Sequence, residues 1–467
     1  MAFEWPRRTF GELMSSGELE IGDGYRAKNA ELGENGSGLI FLRAGHVSDS
    51  HINFSGAERF LDTKGNAFGA KVSRVGDVIV TTKGNSTGRV AFVSQGMPKF
   101  VYSPHLSYWR ATSEGSLHQG FLRAWARSSE FSRQLLALSR STDMAPYLSL
   151  TDQRRLEITI PPREIQAWIG QAADDLHERI EILRRTNKTL EAIAQAIFKS
   201  WFVDFDPVRA KAEGREPEGM EAGTAALFPS RFHKSDLGSV PDGWRVARLE
   251  NLIDAERGLS YKGAGLADSE AGLPMHNLNS VLEGGGYKRA GIKFYKANYK
   301  DRHIARAGDV IVANTEQGHH HRLIGFPAII PRRYEKGLFS HHLYRVRPKV
   351  DSPVTRHWIY HALMVPRVRD QIIGCANGST VNMLKPAGLQ IPRLIVPPRE
   401  LCERFEAVAN LLYARIDTNV ECADALVALR DTLIPRLISG KLKLPEVDEM
   451  SELAAPDDAL RGSQKVN

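Results

Sequence analysis

Cysteine is scarce: Cys375, Cys402 and Cys422 are the only three in 467 residues. So few exclude a disulfide framework, and their spacing offers no paired metal ligands. Long apolar runs are missing too, since nowhere do eighteen apolar residues follow one another. That excludes an ordinary membrane-spanning helix. The opening stretch MAFEWPRRTFGELMSSG has no apolar secretory core, so a cytoplasmic protein with no membrane partner is expected. Catalytic signatures are also absent. GNSTGR (84–89) has the wrong spacing for a phosphate-binding loop, and Gly440-Lys441 lacks the upstream glycine. No Asn-Pro-Pro-Tyr or Asp-Pro-Pro-Tyr segment is present to hold a flipped base. Asp62-Thr-Lys64 has no upstream carboxylate to complete a nuclease metal site. The adjacent imidazoles of His319, His320 and His321 point in different directions and read as a polar loop, not a zinc site. No catalytic residue and no metal ligand is expected.

What is there is ordinary in bulk: 42% apolar, 25% charged, with 62 basic against 55 acidic residues. The net charge of +7 suggests a polyanionic partner without establishing one. The informative feature is repetition. RVGDVIV (74–80) recurs as RAGDVIV (306–312), and PPRE (161–164) recurs at 397–400. Trp5 with Phe10 and Leu13 matches Trp244 with Leu249 and Leu252. Ser103-Pro-His105-Leu106 matches Ser340-His-His342-Leu343, and Ser141-Thr142 matches Ser379-Thr380. These pairs keep their order and lie 232 to 239 residues apart. Two copies of one unit therefore make up most of the chain.

Each copy begins with glycine-separated β-branched runs that read as strands, followed by one helical stretch. A Pro-Pro pair then starts a long helix. Its apolar stripe steps by four and three through Ile169, Ala173, Leu176, Ile180, Leu183, Asn187, Leu190, Ala194, Ile197 and Trp201. The second copy repeats it through Phe405, Ala409, Leu412, Ile416, Asn419, Ala423, Leu426, Arg430, Leu433 and Leu437. Two coiled-coil helices follow, with a seam of about 50 Å at 1.5 Å per residue. If they lie antiparallel with centres aligned, Asn187 and Asn419 fall opposite each other and could fix the register. Both facing solvent at the seam's edge is the other reading, and both stay open. Pro435 should kink or shorten the second helix.

The expected fold class is α+β: two mixed α/β domains in tandem repeat, separated by two long antiparallel coiled-coil helices. The boundaries are domain one 1–160, first helix 161–206, linker 207–240, domain two 241–396 and second helix 397–445. A polar tail, 446–467, should be disordered. Charge follows this partition. Residues 1–163 and 241–398 carry +4 and +10, while 164–240 and 399–467 carry −3 and −4. A polyanion should therefore bind the globular parts.

TLEAIAQAIFKSWFVDFDPVRAKAEG (189–214) resembles the central conserved region of specificity (S) subunits of type I restriction–modification enzymes. TLIPRLISGKLKLPE (432–446) is similar to their distal conserved region. The duplicated GDVIV and the Pro-Pro-entered helices fit the same family, from Trp5 to about Glu446. Copy two departs locally, with Cys402 where copy one has the family's Gln166, which puts a helix-start contact in doubt. The resemblance implies two target-recognition domains, each reading half of a split target on double-stranded DNA. It implies assembly with methyltransferase (M) subunits, which use S-adenosylmethionine, and with motor–nuclease (R) subunits, which use ATP and Mg2+. The S subunit itself binds none of these cofactors and does no chemistry. A stand-alone two-domain DNA-binding scaffold or regulator is the alternative.

The residues agree independently. A twofold-symmetric dimer reads a palindrome, whereas two non-identical domains in one chain should read an asymmetric, bipartite site. A seam of about 50 Å exceeds one DNA turn of roughly 34 Å, so the bases between the halves would go unread. Candidate DNA contacts lie on the glycine-rich turn after GDVIV: Lys83, Asn85, Ser86, Thr87 and Arg89 in copy one. Copy two offers Asn314, Gln317, His319, His320, His321 and Arg322. An ordinary solvated hairpin is the bland alternative; polarity and difference between the copies favour DNA. His105 and His342 read as structural, Thr142 and Thr380 as caps, and Trp201 and Phe202 as packing residues of the seam or of a methyltransferase contact.

Overall fold

The structure is a computed structural model that describes residues 5–48, 51–62, 65–112, 114–139, 146–267, 271–318, 320–378 and 381–442. His319, Thr142, Thr380 and the tail 446–467 lie outside the described residues. The chain divides into two units, 1–182 with 423–467, and 183–422. Both long helices pass from one unit into the other, so each unit holds a segment of each.

In the first unit an antiparallel sheet runs in the order Leu19–Asp23, Leu106–Ala111, Val78–Thr81, Val90–Phe92. In the second unit Ile253–Arg257, Leu343–Pro348, Val310–Ala313 and Pro327–Ile329 repeat that order. A second sheet is also duplicated. Phe100–Tyr102 runs parallel to Ile40–Leu42, as Lys336–Phe339 does to Leu273–His276. Arg7–Thr9 pairs Glu157–Thr159 and Arg245–Arg248 pairs Arg393–Val396, closing each copy where its long helix begins.

The GDVIV motif is explained by its first two residues, the glycine and the aspartate. Gly76 and Gly308 take φ of 92° and 81°, the left-handed region where glycine alone is unstrained. Each sits third in a tight turn, with Asp77 N donating to the Arg74 carbonyl and Asp309 N to that of Arg306, both at 3.0 Å. The aspartate returns the bond: its carboxylate accepts from the Arg74 amide at 2.7 Å and from the Arg306 amide at 2.8 Å. Asp77 then binds Arg110 Nε at 2.6 Å, and Asp309 binds Arg347 Nε at 2.7 Å. The apolar residues that follow, Val78–Val80 and Val310–Val312, are fully buried.

The expected single helical stretch of each copy is two helices. Gln119–Ala126 and Ser129–Ser139 are broken at Arg127-Ser128, and Arg356–Met364 and Pro366–Ile373 at Val365. Pro366 has no amide to continue the first of its pair and instead starts the second. Segment 207–240 overlaps helices Asp206–Ala212 and Ala222–Ala226 and the hairpin Phe232–Ser235 with Gly238–Pro241.

The long helices span Arg163–Lys199, continued by a π-helical turn Ser200–Asp204, and Arg399–Ile438. Pro435 lies inside the second, which ends three residues later. Every stripe residue named above is buried or half-buried. Within the first unit, Ile169 and Ala173 share a core with Ile434, Leu437 and Ile438. Within the second, the ring centroids of Phe198 and Phe405 are 5.4 Å apart. Both sets of contacts run antiparallel. Trp201 and Phe202 join this second core, with Phe202 5.6 Å from Phe405 and Trp201 5.6 Å from Phe228.

Asn187 and Asn419 meet within the second unit. The Asn419 Nδ2 donates to Asn187 Oδ1 at 2.8 Å, and Asn187 Nδ2 reaches the Ile416 carbonyl at 3.3 Å. At the helix starts, buried Gln166 accepts from the His118 amide at 2.8 Å and donates to the Pro161 carbonyl at 2.7 Å. Where copy two has Cys402, Glu406 one turn further on accepts from the His357 amide at 3.0 Å. The helix-start contact is kept by a different side chain, and a carboxylate there also suits the helix dipole.

Candidate nucleic-acid interface

The turn after Val78–Thr81 is built from its own polar atoms. Gly88 N donates to the Thr81 carbonyl at 2.8 Å, and Arg89 N to Thr81 Oγ1 at 3.0 Å. Thr87 Oγ1 lies 2.7 Å from the Gly84 carbonyl and 2.8 Å from that of Pro146. Gly84 N donates to Pro146 O and Leu148 N to Thr82 O, which ties the turn to segment 146–148. A Cβ on Gly88 would meet Leu135 Cδ2 at 2.0 Å, so the backbone approaches helix Ser129–Ser139 closely. With Thr87 committed to carbonyls and Ser86 half-buried, Lys83, Asn85 and Arg89 are the exposed side chains.

The second copy keeps the entry and changes the turn. Asn314 N donates to the His342 carbonyl at 3.0 Å, as Thr82 N does to His105 O at 2.9 Å, and Leu384 N to Asn314 O matches Leu148 N to Thr82 O. Asn314 corrects the sequence expectation. It is 1% exposed and its Nδ2 donates to the His341 carbonyl at 3.0 Å, so it holds the sheet end together and presents nothing to a groove. Gln317, His320 and Arg322 are exposed, with Arg322 3.7 Å from Glu283. His321 is half-buried, with φ of 48°.

Beneath this loop lie three anchors that sequence reasoning missed. The Glu316 carboxylate accepts from the amides of Arg322 at 2.8 Å, Leu323 at 3.0 Å and Ile324 at 2.9 Å. Burial works to raise its pKa, but the three amides outweigh it and hold the carboxyl below its ordinary value. Asn382 Nδ2 donates to the Gly318 carbonyl at 2.5 Å. Arg369 donates to the carbonyls of Ile324, at 2.8 Å, and His321, and stacks 3.3 Å from the Phe326 ring centroid. Only an acidic residue shortly after the GDVIV run hinted at this; Glu316 lies in a short strand, Thr315–Gln317. His342 is structural as expected, with Nδ1 2.9 Å from Thr315 Oγ1, while His105 is exposed. Two loops at one topological position thus display different side chains on rigid supports. Such an arrangement can recognise two different surfaces with one fold. Among the described residues no cluster of three His, Cys, Asp or Glu residues could hold a metal.

No protein-family model matches the chain. It is 23% identical over 451 residues to the type I restriction enzyme HindI specificity subunit of Haemophilus influenzae, covering 86% of this chain and 94% of that one. It is 22% identical over 313 residues to the MjaIX specificity subunit of Methanocaldococcus jannaschii, covering 65% of this chain and 64% of that one. The chain is a homologue of type I specificity subunits. The crystal structure of the S subunit from M. genitalium shares the fold, with a TM-score of 0.54 at 14% identity, covering 93% of this chain and 96% of that one. The similarity to the HindI subunit extends over most of both chains. No helix among the described residues is long and apolar enough to cross a membrane.

Proposed function

We infer that this chain is the DNA sequence-specificity subunit of a type I restriction–modification complex, reading a bipartite, asymmetric target. The observation that carries this reading is one fold present twice in a homologue of specificity subunits, with different polar loops at the same place. A shared fold suits a shared ligand, and different loops suit different half-sites. The chain directs methyltransferase subunits, which supply S-adenosylmethionine chemistry, and motor–nuclease subunits, which use ATP and Mg2+; it performs no catalysis itself. The long helices, of 37 and 40 residues, set the number of unread base pairs between the halves. The alternative of a stand-alone regulator is not favoured, because the likeness to a specificity subunit covers 86% of this chain and 94% of that one.

Arg89→Ala tests the division of labour. Methylation is expected to lose sequence preference in one half of the target and keep it in the other. Equal loss in both halves would contradict a domain-specific reader.

A further inference from the structure

One charge arrangement occurs in both copies and is required by neither the sheet nor the loops. Ile304–Arg306 pairs with Lys336–Phe339 in a register that sets Arg306 directly opposite Lys336. Like charges facing across paired strands repel and weaken the pairing. Both side chains are exposed, and neither makes a salt bridge among the described residues. They open onto a cavity of about 490 Å3 also lined by Asp301, Ile304, Arg345 and Arg347. Arg345 is already paired with Glu256 and Arg347 with Asp309, so Arg306 and Lys336, set against the single carboxylate of Asp301, leave an excess positive charge.

In the first unit the corresponding residues are Arg74 and Lys99. The antiparallel bridge between Val72 and Val101, with Ser73 N donating to the Phe100 carbonyl at 2.8 Å, brings their segments together. Both are exposed; Arg74 approaches only Glu20, at 3.8 Å, and Lys99 makes no salt bridge among the described residues. The loops differ between the copies while this pair is the same. Base sequence differs between half-sites, but the phosphate backbone does not. The pair and the loop also lie at opposite ends of the GDVIV strand. Four residues of strand span about 13 Å, close to the roughly 12 Å width of the major groove.

We propose that Arg306 with Lys336, and Arg74 with Lys99, are duplicated contacts to DNA backbone phosphates, flanking the bases that each loop reads. The proposal rests on the reading of the chain as a DNA-recognition subunit. It makes the excess charge sequence-independent and assigns sequence preference to the loops alone.

The test uses the full-length chain carrying Arg306→Gln with Lys336→Gln, and separately Arg74→Gln with Lys99→Gln. Binding to a duplex bearing the methylated motif and to an unrelated duplex is followed from about 50 to about 200 mM salt. For each pair, the slope of log affinity against log salt should fall by about 1.8, at roughly 0.9 per lost phosphate contact. Both duplexes should lose affinity by the same factor, leaving the preference between them unchanged. Arg306→Lys with Lys336→Arg, which keeps the charge, should keep the slope and so exclude misfolding. An unchanged slope with preference intact would overturn the proposal, as would loss of a co-purifying protein subunit with DNA binding untouched. Wild-type binding without any preference would instead overturn the specificity reading, and the salt slopes would still report on the phosphate contacts. No binding to either duplex would overturn both.

Discussion

A hydrogen bond from Asn419 to Asn187 crosses a seam whose only other polar stripe residue is Arg430, and that dependence has a measurable consequence. Replacing either one alone by Leu leaves the other's amide without its partner, at a cost of about 1–3 kcal/mol. Replacing both by Leu should recover most of that loss, because two apolar groups need no partner. Urea unfolding of the two single variants and the double one measures the coupling. Strict additivity of the losses would contradict the pairing. The pair was legible in the sequence as two polar residues at matching seam positions, though not whether they faced each other or solvent. Asn314 shows the opposite case. A polar residue after a buried strand reads as exposed, but tertiary hydrogen bonding to His341 draws it inside. Glu316 was missed for a related reason: its three amide partners lie six to eight residues away in a loop with no sequence periodicity.

At the scale of elements, the repeated strands were legible because their determinants are local. A glycine, an aspartate and a β-branched run suffice to specify a turn, its closing bond and a buried strand. Gly76→Ala and Gly308→Ala should each therefore cost about 1–3 kcal/mol, since each forces a side chain into positive φ. Thermal unfolding should show comparable losses for the two copies; wild-type stability in either variant would contradict the turn assignment. The long helices were legible from their period, and their stripe is buried or half-buried throughout. The break between the paired short helices was not legible in copy one. Arg127-Ser128 carries no breaker, whereas Pro366 marks the same break in copy two. Segment 207–240 read as a linker because its Pro, Gly and Glu content masks a short hairpin and two short helices.

For the whole molecule, duplication is the property from which function follows. Atom-for-atom matches such as Asp77 with Arg110 and Asp309 with Arg347 show one scaffold used twice, while the loops above them differ. On the proposed reading the chain has one reader for each half of a target, and its two readers need not agree. The measurement that tests this most directly is a map of N6-methyladenine across the genome of a methylation-free host expressing the chain together with a type I methyltransferase subunit. The account predicts a single split, asymmetric motif that disappears when the chain is omitted. An assembled complex that leaves no new motif, or one that marks a continuous palindrome, would contradict it.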